Sequence, residues 1–440
     1  MKILILGLNF APELTGTGRC TADFAAWLRD RGHEVRVITT PPYYPEWRVG
    51  VGYAAWAWQR ETVAGVRVLR CPVWVPRVAT PLSRILHLLS FALSSLVPCL
   101  WEAVRSRPEL VWAVEPTAFA APTALLAARL CGGRACLHVQ DLETEAVCGL
   151  GLVQAPYLRR ALCGTYGWLA RRFDLVSTIC LRLQARLREL GVPEERLCLF
   201  PNWVDTDAIR PLPMPSIVRR QLGLADHQVV ALYAGSMGDK QGLEVLADVA
   251  ERLRTHPEIR LVLCGAGAAR PRLERRLAGC GNVTLLPLQP EARLNALLNA
   301  ADIHLLPQRA EAENFALPSK LAGILASGRP LVAQAEGGEL AAATRCCGIL
   351  VAPGEAEAMA AAILELAAHP DRRRRLGQIA RQLAEDHLDR EAIIGRYEQR
   401  LAWLVSSRTA RGRAAHAGAG RIAARVPRFA DRTPAQLRRG

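Results

Sequence analysis

Lys320 lies in the stretch Pro318-Ser319-Lys320-Leu-Ala-Gly-Ile-Leu325, which is punctuated for chemistry. Pro318 blocks an upstream helix and Ser319 is a capping residue type. Leu321, Ile324 and Leu325 recur at helical spacing before Gly328 and Pro330 stop the element. The first turn of such a helix holds backbone N–H groups without intrahelical partners at the positive end of the dipole, with an ammonium beside them. That combination suits a phosphate. The same punctuation also describes a capped core helix with a solvated lysine, so the choice rests on the rest of the chain.

Glycine turns after apolar runs supply further phosphate candidates. Gly235-Ser236-Met-Gly-Asp-Lys240-Gln241-Gly242 follows the run Val229–Ala234, and Gly265-Ala-Gly267 follows Ile259–Cys264. In the first half, Lys2–Leu8 opens into Asn9-Phe-Ala-Pro-Glu-Leu-Thr-Gly16-Thr17-Gly18, whose glycines either turn the chain or admit a ligand. The loop lacks Gly-x-Gly-x-x-Gly spacing, which weighs against a dehydrogenase. Asp141 and Glu143 follow the run Arg134–Val139; they are site candidates at the carboxyl end of a parallel strand, or solvated surface carboxylates.

These segments need two α/β frames. Strands are expected at Lys2–Leu8, Val35–Thr39, Leu110–Val114, Arg134–Val139 and Phe173–Ile179, with helices near Thr21–Asp30, Pro122–Leu130 and Leu181–Leu190 between them. The proline-rich Pro211–Pro215 breaks this series. A second begins with strands at Val229–Ala234, Ile259–Cys264, Val283–Leu286 and Ile303–Leu306 and a helix at Leu243–Arg254. The pattern divides the chain into 1–205, 206–385, a closing helix within 386–407 that packs back towards the first domain, and a tail, 408–440. Two α/β halves with a cleft between them form a natural ligand site. Residues 41–77 show little periodicity but carry Tyr43, Tyr44, Trp47, Trp56, Trp58 and Trp74, which could hold a sugar, lie at a membrane interface or pack irregularly. Ile85–Trp101 is nearly all apolar and flanked by arginines. It reads as a buried helix or as one lying among the headgroups of an anionic leaflet.

A chain of 440 residues has length for two or three domains. The 56 Lys and Arg against 41 Asp and Glu give a formal +15, which points to nucleic acid, acidic lipid or a phosphorylated small molecule. Of that excess, +8 sits in residues 408–440, where nine arginines meet one aspartate, so the body is only moderately basic. The tail has the composition of a disordered basic segment. It suits acidic lipid or nonspecific nucleic-acid binding. Thirteen scattered cysteines without a Cys-x-x-Cys pair give no zinc or redox spacing and fit a reducing cytosol. The N-terminus reads as a buried strand, not a signal peptide, and no run reaches about 18 uninterrupted apolar residues. The chain is therefore expected to be neither secreted nor membrane-spanning.

In order along the chain, Asn9–Gly18, Thr40-Pro-Pro-Tyr-Tyr-Pro45, Phe200-Pro-Asn-Trp203, Gly238-Asp-Lys-Gln-Gly242 and Leu317-Pro-Ser-Lys320 resemble the family 4 glycosyltransferases of the GT-B fold. The likeness runs from Met1 to about Leu404 and is strongest to the colanic-acid-type fucosyltransferases of exopolysaccharide synthesis. The resemblance implies two Rossmann-like domains facing a cleft, and retaining transfer of a sugar from a GDP- or UDP-linked donor to a lipid-linked acceptor, with no metal or cofactor. The implied place is the inner face of the cytoplasmic membrane, peripheral on its anionic surface, without a specific nucleic-acid partner. Carried over, Gly235, Ser236, Lys240 and Gln241 lie near the diphosphate and Leu288 near the base. Pro318, Ser319 and Lys320 lie near the distal phosphate and sugar, and Gly16, Thr17 and Gly18 close the site.

Three departures stand out. The family's Glu-x7-Glu positions are Phe315 and Gly323 here, Gln140 stands where many members have histidine, with His138 two residues earlier, and Ser236 replaces an arginine. The catalytic candidates are Lys320, which opposes charge on a departing nucleoside diphosphate, and Asp141 or Glu143, which assists the acceptor hydroxyl or the cationic sugar. A nucleotide-sugar epimerase and a catalytically inactive membrane scaffold remain alternatives.

Overall fold

A computed structural model of the chain describes residues 1–13, 16–44, 46–78, 80–116, 118–142, 155–213, 216–238, 241–309 and 318–411. Among the described residues the chain forms two compact units: Met1–Pro201 with the last helix from Ile394, and Asn202–Ile393.

The first unit is built on an eight-stranded sheet. Its strands are β1 (Lys2–Gly7), β2 (Glu34–Thr39), β3 (Gln59–Val63), β4 (Val66–Arg70), β5 (Leu110–Val114), β6 (Arg134–Val139), β7 (Leu175–Thr178) and β8 (Leu197–Leu199), in the order β3-β4-β2-β1-β5-β6-β7-β8. All neighbours are parallel except β3 and β4. Helices cover both faces of such a sheet, so β5 is buried at every position and reads as an unbroken apolar run. The first helix, α1 (Gly16–Asp30), starts five residues before the helical run read from the sequence.

The segment 41–77, aperiodic in the sequence, contains the β3–β4 hairpin. Its turn places Ala64 and Gly65 at φ +45° and +74°, the left-handed pair that a two-residue hairpin turn requires. The alternation was masked because β4 points an arginine inward. Arg70 is fully buried, donating to Glu61 Oε1 at 2.6 Å and to the carbonyls of Thr40, at 2.9 Å, and Ala11.

α2 (Pro81–Ser106) has Thr80 as its N-cap, accepting from the Ser83 amide at 3.3 Å, and Pro81 in its first turn; it ends at Arg107 in the left-handed region. It packs beside α3 (Ala121–Cys131). α2 is long and apolar enough to cross a membrane by length and composition.

The second unit holds β9 (Val229–Ala234), β10 (Ile259–Cys264), β11 (Val283–Leu286), β12 (Ile303–Leu306), β13 (Leu331–Gln334) and β14 (Gly348–Val351), all parallel in the order β11-β10-β9-β12-β13-β14. In both units the first strand sits inside the sheet with connections leaving to either side. The loops after β1 and β9 therefore open at the switch points where α/β folds bind ligands.

The last helix, Arg390–Arg411, runs four residues into the stretch expected to be tail; the rest of that tail lies outside the described residues. It returns Tyr397 to the first unit. Tyr397 Oη accepts from Trp112 Nε1 at 2.9 Å and bonds Ser177 Oγ at 2.9 Å, and its ring stacks on Phe200 at 3.8 Å. Ser177 in turn contacts His138 Nδ1 at 3.0 Å. Tyr397→Phe leaves a buried indole N–H without its acceptor, and urea unfolding should show a loss of about 1–3 kcal/mol.

Candidate active site

In the second unit, the end of β9 meets the start of the short helix Lys320–Ala326. Gly235 follows β9 at φ +140°, and a Cβ there would overlap Lys320 Cε and stand 2.9 Å from its Cδ. The lysine stem crosses the strand end only because glycine leaves it room. Lys320 Nζ then donates to Tyr233 Oη at 2.5 Å and Ser236 O at 3.3 Å, and sits 4.4 Å from the centre of the Tyr233 ring. Tyr233 Oη itself donates to Ser236 O. Among the described residues no carboxylate pairs with Lys320. Burial pushes its pKa down to about 7.

The turn around it is tightly held. The amides of Gly235, Met237 and Gly238 bond Cys264 O at 2.9 Å, Ala266 O at 2.7 Å and Gln241 Oε1 at 3.0 Å, whereas the Ser236 amide has no partner among the described residues. Gly265 and Gly267 allow this packing, because a Cβ on either would overlap the Gly235 or Met237 carbonyl. At the adjoining strand end, the Gly265 amide bonds Leu286 O at 3.1 Å, which ties in the loop holding Leu288. An ammonium of low pKa beside an unpaired amide at a glycine turn can receive a phosphate, which would draw a proton onto the lysine.

In the first unit, the loop after β1 is organised by Glu13, which is buried. Its carboxylate accepts from Asn9 Nδ2 at 2.9 Å and from the amides of Tyr43 and Tyr44 at 3.0 and 3.1 Å. Burial raises its pKa against these donors. At the end of β6, His138 is buried between Ser177 and Gln140, and desolvation pulls its pKa down to about 3, so the ring is neutral. Among the described residues no three His, Cys, Asp or Glu side chains group to hold a metal ion.

Residues 15–203 match the family profile described as Glycosyl transferase 4-like domain, and residues 228–369 match that of Glycosyl transferases group 1. The chain is 39% identical over 413 residues to the putative colanic acid biosynthesis glycosyl transferase WcaI of Escherichia coli (strain K12), covering 90% of this chain and 98% of that one. This chain is a family 4 glycosyltransferase. Sucrose-phosphate synthase from Thermosynechococcus elongatus superposes with a TM-score of 0.73 at 19% identity, covering 92% of this chain and 99% of that one. Anabaena HepE, solved with UDP and glucose, gives 0.66 at 18%, covering 91% and 99%. These structures share its GT-B fold.

Within this glycosyltransferase the expected residues fall into separate groups. Gly235, Ser236 and Lys320 come together, and Gln241 closes their turn through its side-chain oxygen. Pro318 and Ser319 precede Lys320, but Ser319 does not cap. Its backbone is helical, at φ −59° and ψ −20°, and the start is closed by the Leu321 amide on Pro318 O at 3.0 Å. Leu288 is half-buried beyond β11, and Asp141 follows β6. Gly16, at φ +63°, and Thr17 open α1. Gly18 is fixed by packing, since a Cβ would stand 2.8 Å from Glu13 Oε2 and 3.2 Å from the Phe10 amide nitrogen. Glu143 and Lys240 lie outside the described residues. The sequence reading missed Tyr233 and Glu13. Tyr233 stood inside an apolar strand run, and only its position two residues before the glycine turn could have marked it.

A lysine whose folded pKa lies below its unfolded value of 10.5 is neutral in the native state while the unfolded chain is still protonated. Stability contributed by this difference therefore rises with pH above about 7 and is absent below it. Between pH 7 and 9, the stability difference between wild type and Lys320→Met should shift in favour of wild type, as read by denaturant unfolding.

Proposed function

We propose that this glycosyltransferase moves a sugar from a nucleoside diphosphate donor to a lipid-linked acceptor with retention of anomeric configuration, at the inner face of the cytoplasmic membrane in polysaccharide assembly. The observation that carries the donor assignment is the Lys320 ammonium held against the Ser236 carbonyl at the β9 switch point, in a turn whose Ser236 amide has no partner among the described residues. As the glycosidic bond breaks, negative charge grows on the departing diphosphate, and a preorganised cation and amide lower the barrier there. The WcaI relative, named for colanic acid biosynthesis, supports the polysaccharide setting, and HepE, bound to UDP and glucose, supports a nucleotide-linked donor. Fucose is the sugar implied by the sequence resemblance. Asp141 is the described carboxylate assigned to the acceptor hydroxyl or the cationic sugar, with Glu143 as the second candidate and no metal in the reaction.

Thermal stabilisation by a panel of nucleoside diphosphates and their sugar conjugates tests the donor site. One base should raise the midpoint in wild type, by the equivalent of about 2.7 kcal/mol at a hundred times Kd, and not in Lys320→Ala. Gly235→Ala should behave like the lysine variant, because its Cβ displaces the stem. No shift with any nucleotide removes the donor-site assignment and favours a catalytically inactive scaffold of the same family; donor consumed without an acceptor identifies an epimerase.

Binding should also take up a proton at pH 8, since the bound anion restores the ammonium. Calorimetry in buffers of different ionisation enthalpy should show this uptake in wild type. Titration without proton uptake would remove Lys320 from the diphosphate.

A further inference from the structure

α2 leaves a large apolar face uncovered. It carries no Asp, Glu, Lys or Arg between Arg84 and Glu102, and its inner side buries His87, Phe91, Ser95, Cys99 and Ala103. The other side presents Leu82, Leu86, Leu93, Val97, Trp101 and Val104, with Leu93 73% and Val97 71% exposed. Their spacing keeps them on one side of the helix. Trp58 and Trp74 widen the face. Trp58 Nε1 donates to Ser94 O at 3.3 Å and the Trp74 amide to Ser90 Oγ at 2.9 Å, which sets both exposed residues beside the helix. Trp56, two residues before Trp58, is 81% exposed. Contiguous apolar surface of this kind marks an interaction site.

Charge selects the occupant. Exposed Arg77 and Arg84 flank the start of α2, and exposed Arg105 and Arg107 its end. The last turn also contributes Glu102 and Arg105 to an open cleft of about 340 Å³, lined further by Arg36, Arg60, Glu61 and Arg67. Both glutamates are already engaged, Glu61 by Arg70 and Glu102 by Arg36. Arg60, Arg67 and Arg105 are exposed and make no close ion pair among the described residues, Arg67 acting on Glu34 only at longer range. Apolar helix, flanking tryptophans and unpaired arginines together match the acyl boundary, interface and phosphate layer of an anionic bilayer. The strands before and after α2, β4 and β5, belong to one sheet, and the inner side of the helix is buried in that unit, so it lies along the surface and does not cross.

We propose that α2 is an in-plane membrane anchor, with Leu93, Val97 and Trp101 at the headgroup boundary and the arginines of the cleft on lipid phosphates. The inference rests on the lipid-linked acceptor proposed above for its purpose, but it is tested with lipid alone. The full chain is floated with vesicles of phosphatidylcholine, or of phosphatidylcholine and phosphatidylglycerol in equal parts. Wild type should float with the anionic vesicles. L93E/V97E should bind roughly tenfold more weakly, and R60E/R67E should lose a similar factor that high salt also removes. Circular dichroism and the nucleotide-induced midpoint shift, which do not involve these exposed positions, check that the variants fold and keep the donor site separate. Flotation of L93E/V97E equal to wild type would assign binding to the basic tail and overturn the proposal. So would absence of wild-type flotation, or a dimer seen by light scattering that the double variant loses without any vesicle binding.

Discussion

Passage of the Lys320 stem over Gly235 is the constraint on which the second unit's site depends. No other residue type leaves the end of β9 open to it, and the φ of +140° there is one that side chains rarely adopt. The lysine then occupies a fixed place against Tyr233 and Ser236, with part of its hydration removed and no carboxylate to offset the loss among the described residues. Its depressed pKa follows from that placement. Gly265 and Gly267 carry the same requirement to the neighbouring strand end, where backbone packs on backbone.

The first unit uses buried charge in place of glycine contact. Arg70 and Glu13 tie the loops that leave β1 and β2, Arg70 through the Thr40 and Ala11 carbonyls and Glu13 through the Tyr43 and Tyr44 amides. Each is largely satisfied by hydrogen bonds, as a buried charge must be. Removing either partner would leave the other groups unpaired in a dry environment, so these loops have few alternative arrangements.

Much of the architecture was legible in the sequence because central parallel strands bury both faces and become continuous apolar runs. Leu110–Val114 and Val229–Ala234 are such cases. The β3–β4 hairpin was not legible, since inward Arg70 breaks the apolar alternation and its partner Glu61 lies nine residues away. At the site, the glycine turn and Lys320 could be named from spacing, but Tyr233 could not, because a tyrosine in a strand looks like core until its hydroxyl is located. Gly18 shows the reverse. Its place after the first strand suggested a ligand, and the structure adds a second requirement, a buried carboxylate that leaves no room for a Cβ. Ser319 is a capping residue type, yet its own backbone is helical and its side chain makes no cap bond.

The return of the last helix has a consequence for how the chain is made. Trp112 and Ser177 are synthesised long before Tyr397, the residue that bonds both, and the whole of the second unit is translated between them. As the chain leaves the ribosome, the second unit can complete its core while the first still lacks the ring that stacks on Phe200. The unit begun first is thus the one finished last.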